Sequence, residues 1–245
     1  MANILTKNID IGLLADEGRV DTTVLNGIQR VQVGRHTIYI GKFSVGCLPS
    51  DHFDLCLTDP PYGINAGQMS GRKGSEFETE TDKNGWRNFG NLDWDGEPVG
   101  KDLLDYIRDI SKNQIIWGGN YFADNLPASM GWLFWDKGQR KFSLADGELA
   151  WTSYKKALRV FEYSRAKANK QEKWHPTQKP VELMEWCLER AGEGIRSVID
   201  PFGGSGTTLL ACEKAGIACT MFEQIPEYAE IAIRRLEELI GTSTG

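Results

Sequence analysis

The C-terminal part of the chain alternates strand-like and helix-like segments. The stretch RSVIDPFGGSGTTLLACEKAGIACTMFEQ (196–224) predicts a strand, a glycine-rich turn, a helix and a second strand. A helical pattern precedes it within 175–194, and an amphipathic helix is predicted for 226–240. Strands that alternate with helices are typical of a parallel sheet covered by helices. The sequence therefore predicts an α/β fold with a doubly wound, mostly parallel sheet.

Further elements are predicted upstream of this stretch. Apolar runs indicate strands within 36–43, 51–59, 113–122 and 131–137, and one-sided leucines and isoleucines predict a helix over 101–112. The segments 148–154 and 157–164 alternate in polarity and predict a hairpin. Residues 1–36 show little pattern. The length of 245 residues suits a single domain spanning 1–245.

Composition excludes several classes of protein. No apolar run approaches the roughly 18 residues that span a membrane, and the first residues do not resemble a signal peptide. The five cysteines have no CxxC spacing and sit beside apolar residues, which predicts reduced thiols and a cytoplasmic location. Three histidines without an HExxH motif argue against a metal site.

The strand predicted at 51–59 ends in an unusual way. It runs into LTDPPYGI (57–64), in which an acid is followed at once by two prolines, an aromatic ring and a glycine. Strand interiors avoid adjacent prolines because each one removes a hydrogen-bond donor from the ladder. The motif therefore ends the strand at Asp59, either as a rigid turn or as a functional group held in a fixed direction.

A second motif, DPFGGSGTT (Asp200–Thr208), ends another predicted strand. It is neither a P-loop nor a complete GxGxxG fingerprint, since Leu209 occupies the last position. Glu223 ends the next strand, where an acid can accept hydrogen bonds from ribose hydroxyls. The motif indicates a site for an adenosine-bearing cofactor, the alternative being a tight turn without a ligand. Because ligands bind at the carboxyl ends of parallel strands, both motifs should open onto one crevice.

Two segments stand out by composition. In 137–173 Lys and Arg outnumber the acids and are interleaved with Trp151, Tyr154, Phe161 and Tyr163, although the net charge of the chain is −6. Such a mixture suits a polyanion that carries bases, and the alternative is a solvated face. Residues 65–100 are polar and rich in glycine, which for a stretch of this length indicates a functional or disordered loop.

The motifs together resemble those of the DNA amino-methyltransferases. The matching pieces are DPPYG at 59–63, HPTQKP at 175–180, DPFGGSGTT at 200–208 and Glu223, and the resemblance covers about 36–240. The order, with DPPY ahead of the cofactor loop, is similar to that of the β class. The resemblance implies a Rossmann-like methyltransferase fold, S-adenosylmethionine as cofactor, double-stranded DNA as partner, a place in restriction-modification and a possible homodimer.

The resemblance also implies roles for individual residues. It assigns the catalytic positions to Asp59, Pro60, Pro61 and Tyr62. It assigns cofactor contacts to Thr177, Lys179, Asp200, Phe202, Gly203, Gly204, Gly206, Thr207 and Glu223. Within a target-recognition segment at 137–173, we expect DNA contacts from Arg140, Lys141, Lys155, Lys156 and Arg159, and 65–100 would be a mobile active-site loop.

The DPPY motif suits methylation of an aromatic amine. The Asp59 carboxylate and the Pro60 carbonyl can accept hydrogen bonds from the two N–H groups, which frees the nitrogen lone pair, while Tyr62 can stack on a flipped base. In the β class that the chain resembles, Asp before the two prolines goes mostly with adenine, so the resemblance implies adenine N6 as the target. Cytosine N4, an RNA or protein methyltransferase and a catalytically silent DNA-binding module remain alternatives. Methylation of cytosine C5 is disfavoured, because that reaction needs a cysteine thiolate, normally from a Pro-Cys pair, and no cysteine in this sequence follows a proline.

Overall fold

The computed structural model describes residues 20–25, 28–48, 53–64, 97–140, 145–168, 174 and 178–243. Ten strands are present among them: β1 (Val20–Leu25), β2 (Ile28–Val33), β3 (His36–Ile40), β4 (Phe53–Thr58), β5 (Ser111–Trp117), β6 (Trp132–Asp136), β7 (Gly147–Thr152), β8 (Arg159–Glu162), β9 (Ser197–Asp200) and β10 (Ala218–Glu223). The helices are α1 (Lys101–Ile110), α2 (Arg165–Ala168), α3 (Val181–Ala191), α4 (Thr207–Lys214) and α5 (Pro226–Ser243), with a 3₁₀ turn at Gly119–Tyr121.

The strands form one sheet in the order β1-β2-β3-β10-β9-β4-β5-β7-β6-β8. The five central strands, from β3 to β5, are parallel to one another. Antiparallel strands extend the sheet on both sides. This arrangement confirms the predicted α/β fold with a mostly parallel sheet. We call the end at which the parallel strands finish the carboxyl end of the sheet, and the opposite one the amino end.

The two faces of the sheet carry separate apolar cores. Strand residues such as Leu55 and Leu57 pack with the buried sides of α3, α4 and α5. Their neighbour Cys56 points to the other face, where α1 contributes Leu104 and Ile107. This alternation follows from the period of two in a strand, and burial on both faces explains the unbroken apolar run from Leu55 to Leu57 in β4.

The predicted hairpin of 148–154 with 157–164 is wrong. β7 pairs with β5 and β6, whereas β8 pairs with β6 in parallel. Alternating polarity shows that a segment is a half-buried strand, but it does not reveal which strand lies beside it. The structure also contains the antiparallel pair β1 and β2, which the sequence did not predict because residues 1–36 show little pattern.

The described part of the chain contains no helix with the length and apolar character needed to cross a bilayer. All five cysteines are free thiols, and four of them are buried.

Candidate active site

The two motifs at strand ends lie side by side. β4 and β9 are adjacent and parallel, with Leu55 opposite Val198, so both finish at the carboxyl end of the sheet. The hydroxyl of Thr58, the last residue of β4, donates a hydrogen bond to Oδ1 of Asp200 over 2.7 Å. Asp59 and the glycine loop line one cavity of about 750 Å³. The fold thus unites motifs that are far apart in the sequence.

Asp59 is held by two neighbouring groups. Lys179 forms an ion pair with its Oδ2, and the Tyr62 hydroxyl donates to its Oδ1. Lys179 Nζ also donates to the Tyr62 hydroxyl over 3.1 Å. Burial raises the pKa of the Asp59 carboxyl, and the positive charge of Lys179 opposes that rise. The proposed amine acceptor is therefore a carboxylate whose two oxygens are already engaged by the protein.

Glu148 is a site residue that the sequence did not reveal. It lies at the start of β7, and because β7 runs antiparallel to β5 its first residues reach the carboxyl end of the sheet. Its Oε2 lies 3.1 Å from Lys179 Nζ, and Lys137 bonds its Oε1. Burial alone would raise the pKa of Glu148, but Lys179 and Lys137 together hold it at about 2. In the sequence it stands two residues after Asp146 and ahead of a short apolar run, with no spacing that marks it as a site residue.

Lys179 carries its charge in spite of burial. Its side chain is 3% exposed. Burial by itself would lower the pKa of the ammonium group, but Asp59 and Glu148 outweigh that effect and raise the pKa above its ordinary value. Two carboxylates and the two lysines 137 and 179 thus form a charge-balanced network beneath the cavity.

Tyr62 forms one wall of the site. Its ring stacks on Tyr121 with centroids 4.8 Å apart and planes at 11°, and it meets Phe122 edge-on. Gly118, with φ of +71°, leaves room for this ring, since a β-carbon there would lie 2.0 Å from it. Tyr62, which the resemblance expects to stack on a flipped base, therefore already contacts Tyr121, a residue that is half exposed.

Some residues of the glycine loop pack tightly against the rest of the protein, and others line the cavity. A β-carbon on Gly203 would lie 2.1 Å from Met221, and one on Gly206 would lie 2.7 Å from the Ala232 β-carbon. These two glycines are therefore required by packing against β10 and α5. Gly204, with φ of +53°, lines the cavity, as does Thr207 at the start of α4.

Two buried acids border the glycine loop. Glu223 accepts hydrogen bonds from the backbone N–H groups of Gly204 (2.8 Å) and Ile225 (2.7 Å). Burial raises the pKa of Glu223 to about 7 and that of Asp200 to about 6. Phe202, also at the cavity, lies edge-on to Phe43 at 6.5 Å. Carboxylate acceptors beside an aromatic wall fit the ribose and base of an adenosine group.

The cations predicted to bind DNA are placed differently from one another. Arg140 is bound by Asp136 through both carboxylate oxygens, at 2.9 and 2.7 Å. Lys156 donates to the Arg190 carbonyl at the end of α3. Lys141 and Thr177 lie outside the described residues, as does most of the predicted loop 65–100.

The stretch Lys155–Arg159 lies toward the amino end of the sheet, away from the cavity at the carboxyl end. It follows β7, whose last residue Thr152 pairs with Ile115 in the second half of β5, and the chain then continues toward the amino end. There Lys156 donates to the carbonyl of Arg190 at the end of α3, the helix that leads into β9. Thr152 lies four residues beyond Glu148 in β7, ~13 Å away at the usual rise per strand residue, and Lys155–Arg159 comes after Thr152. This geometry argues against predicted contacts between Lys155, Lys156 or Arg159 and the DNA around a flipped base.

Comparison with known proteins agrees with this site. Residues 150–234 match the family described as DNA methylase, which comprises N6 and N4 methyltransferases. The chain is related to the DNA amino-methyltransferases. The match runs from β7 into α5, so it includes the glycine loop and Glu223. It supports the predicted family over this part of the chain, and that family supports S-adenosylmethionine as the cofactor.

Individual DNA methyltransferases show how far the likeness extends. The type II methyltransferase M2.DpnII of Streptococcus pneumoniae is 24% identical over 226 residues, which cover 76% of this chain and 83% of that protein. M.HinfI of Haemophilus influenzae is 26% identical over 235 residues, covering 78% and 65%. The solved structure of the PvuII DNA methyltransferase (cytosine-N4-specific) superposes with a TM-score of 0.50 at 18% identity, covering 84% of this chain and 90% of that one. The last comparison shows a shared fold.

Proposed function

We propose that the protein transfers the methyl group of S-adenosylmethionine to N6 of adenine in double-stranded DNA. The observation that supports this most is the shared cavity, in which Asp59 lies beside the glycine loop and Glu223. An amine acceptor and an adenosine site are thereby brought within reach of one another. Since an exocyclic amine is inaccessible inside a duplex, the target base must flip into this cavity.

The cofactor would be held by the residues at the ends of β9 and β10. Glu223 would accept hydrogen bonds from the ribose hydroxyls, and Gly204, Phe202 and Thr207 would border it. When bound, the cofactor supplies a methyl group that is already activated for transfer. The protein therefore contributes mainly by positioning the reactants and by excluding water.

Asp59 would act on the amine. Each carboxylate oxygen can accept two hydrogen bonds, so Asp59 can accept one N–H while it keeps part of its contacts with Tyr62 and Lys179. The carbonyl of Pro60 would accept the other N–H, in a direction that the adjacent proline rings fix. The nitrogen lone pair would form the new bond to the methyl carbon as the bond from that carbon to the sulfonium breaks, and the electron pair of the broken bond would stay on sulfur in the departing S-adenosylhomocysteine. The surplus proton of the methylated amine would pass to Asp59, whose pKa is raised by burial.

The choice of adenine rests on the motif. The fold is shared with a protein named as cytosine-N4-specific, so architecture does not select the base. Asp rather than Ser before the two prolines supports adenine, and cytosine N4 is the alternative. The relatives are named type II methyltransferases, which supports a sequence-specific enzyme of a restriction-modification system.

The decisive experiment identifies the methylated product. Unmodified DNA is incubated with the protein and labelled cofactor, digested to nucleosides and analysed by mass spectrometry. We expect label on N6-methyladenine; label on N4-methylcytosine would overturn the base assignment, and label on RNA or protein alone would overturn the function.

Substitution of Asp59 tests the proposed chemistry. The Asp59→Ala variant should bind S-adenosylhomocysteine normally in calorimetry and lose methyl transfer by at least about a hundredfold. Near-normal turnover would remove Asp59 from the mechanism.

A further inference from the structure

Lys179 is shared between two carboxylates. An ammonium group has three N–H donors, and here the partners of Nζ are Asp59, Glu148 and the Tyr62 hydroxyl. The side chain is almost completely buried, so water is not a ready substitute for any of these partners. A change at one carboxylate must therefore alter the bond of Lys179 to the other.

We propose that Glu148 is a positioning residue that limits how strongly Lys179 holds Asp59, and so keeps Asp59 available to the substrate amine. This inference rests on the proposed function. Glu148 does not touch the amine in this scheme and acts only through Lys179.

The charges around Asp59 support this role. Asp59 faces Lys179 and the Tyr62 hydroxyl, and it also experiences the negative charges of Glu148 and Asp200. Lys137 faces the far oxygen of Glu148 and keeps that carboxylate ionised. If the charge of Glu148 were removed, Lys179 would have a single carboxylate left, and its bond to Asp59 would tighten. If the charge of Lys179 were removed, Asp59 and Glu148 would repel one another.

These two changes have opposite effects on the protonation of Asp59. Loss of the Glu148 charge favours the ionised form of Asp59, whereas loss of the Lys179 charge favours the protonated form. A residue that served only to stabilise the fold would not shift the pH dependence of the reaction in a direction set by its charge. The sign of the shift therefore separates a positioning role from a structural one.

The test measures single-turnover methyl transfer to DNA at saturating cofactor, from about pH 5 to pH 9. In Glu148→Gln the acid limb of the rate profile should move down by about one pH unit, and in Lys179→Met it should move up by about one unit or more. Glu148→Asp, which keeps the charge, should retain the wild-type limb. Glu162→Gln is the matched control, because Glu162 is exposed at the end of β8 and should leave the profile unchanged.

Binding of S-adenosylhomocysteine, measured by calorimetry, provides a readout that does not depend on turnover and shows that each variant is folded. Should Glu148→Gln fail to fold, Lys137→Met replaces it: Glu148 would then draw Lys179 away from Asp59, and the limb should move up. Unchanged limbs in folded variants of an active wild type would overturn this inference alone. A wild type that transfers no methyl group to DNA would instead overturn the proposed function.

Discussion

The buried carboxylate of Glu223 makes cofactor binding dependent on pH. In the protein without ligand, burial raises the pKa of Glu223 from 4.5 to about 7, even though two backbone N–H groups donate to it. Because the folded state holds this proton more tightly than the unfolded chain does, the associated stability is present below about pH 4.5. It is lost as the pH rises through about 7, and the rise of the pKa from 4.5 to about 7 corresponds to about 3.5 kcal/mol at ~1.4 kcal/mol per pH unit.

Ribose hydroxyls that donate to Glu223 would favour its ionised form, so binding of the cofactor should release a proton. With a pKa of about 7 in the free protein, roughly one carboxylate in ten is ionised at pH 6 and about nine in ten are ionised at pH 8. The association constant of S-adenosylhomocysteine should therefore fall roughly tenfold from pH 8 to pH 6. Asp200, with a pKa of about 6, adds to this fall only at the acid end of the range.

Isothermal titration calorimetry checks this prediction. Titrations in buffers of different ionisation enthalpy should show proton release near pH 6.5, and Glu223→Ala should bind more weakly with most of the dependence on pH removed. An association constant that is equal at pH 6 and pH 8, with no proton released, would refute the assignment of Glu223 to the ribose.

Three further outcomes are expected. Gly118→Ala places a β-carbon about 2.0 Å from the Tyr62 ring, so methyl transfer should fall at least about tenfold while S-adenosylhomocysteine still binds, as calorimetry would show. Tyr121→Ala removes the ring stacked on Tyr62, which supports the ring expected to stack on the flipped base, and should weaken binding of DNA with a flipped base by ~0.5–1.5 kcal/mol, the usual contribution of one aromatic pair, in a fluorescence titration. Neutralising the cations of Lys155–Arg159 should leave the salt dependence of DNA binding unchanged, because this stretch lies at the amino end of the sheet; a slope lower by about one for each lost contact would contradict that placement.

The sequence alone determined the class of fold and the position of its chemistry. Apolar runs of strand length and one-sided helices are local patterns, and they located most of the elements from β3 to α5. Asp59 and Asp200 stand out because each ends a buried strand and is followed by prolines or by a glycine-rich turn. These signals are legible in a single sequence because each depends only on neighbouring residues.

Tertiary structure decided which strands are neighbours and which charges meet. The reversed direction of β7 brings Glu148 to Asp59 and Lys179 at the carboxyl end of the sheet, and the same reversal carries Lys155–Arg159 to the opposite end. By composition these cations belong to the positively charged segment 137–173. The charge of a sequence segment does not show where the chain reverses its direction. Strand order and direction depend on packing between distant segments, and the ion pairs of the site form only after that packing is in place.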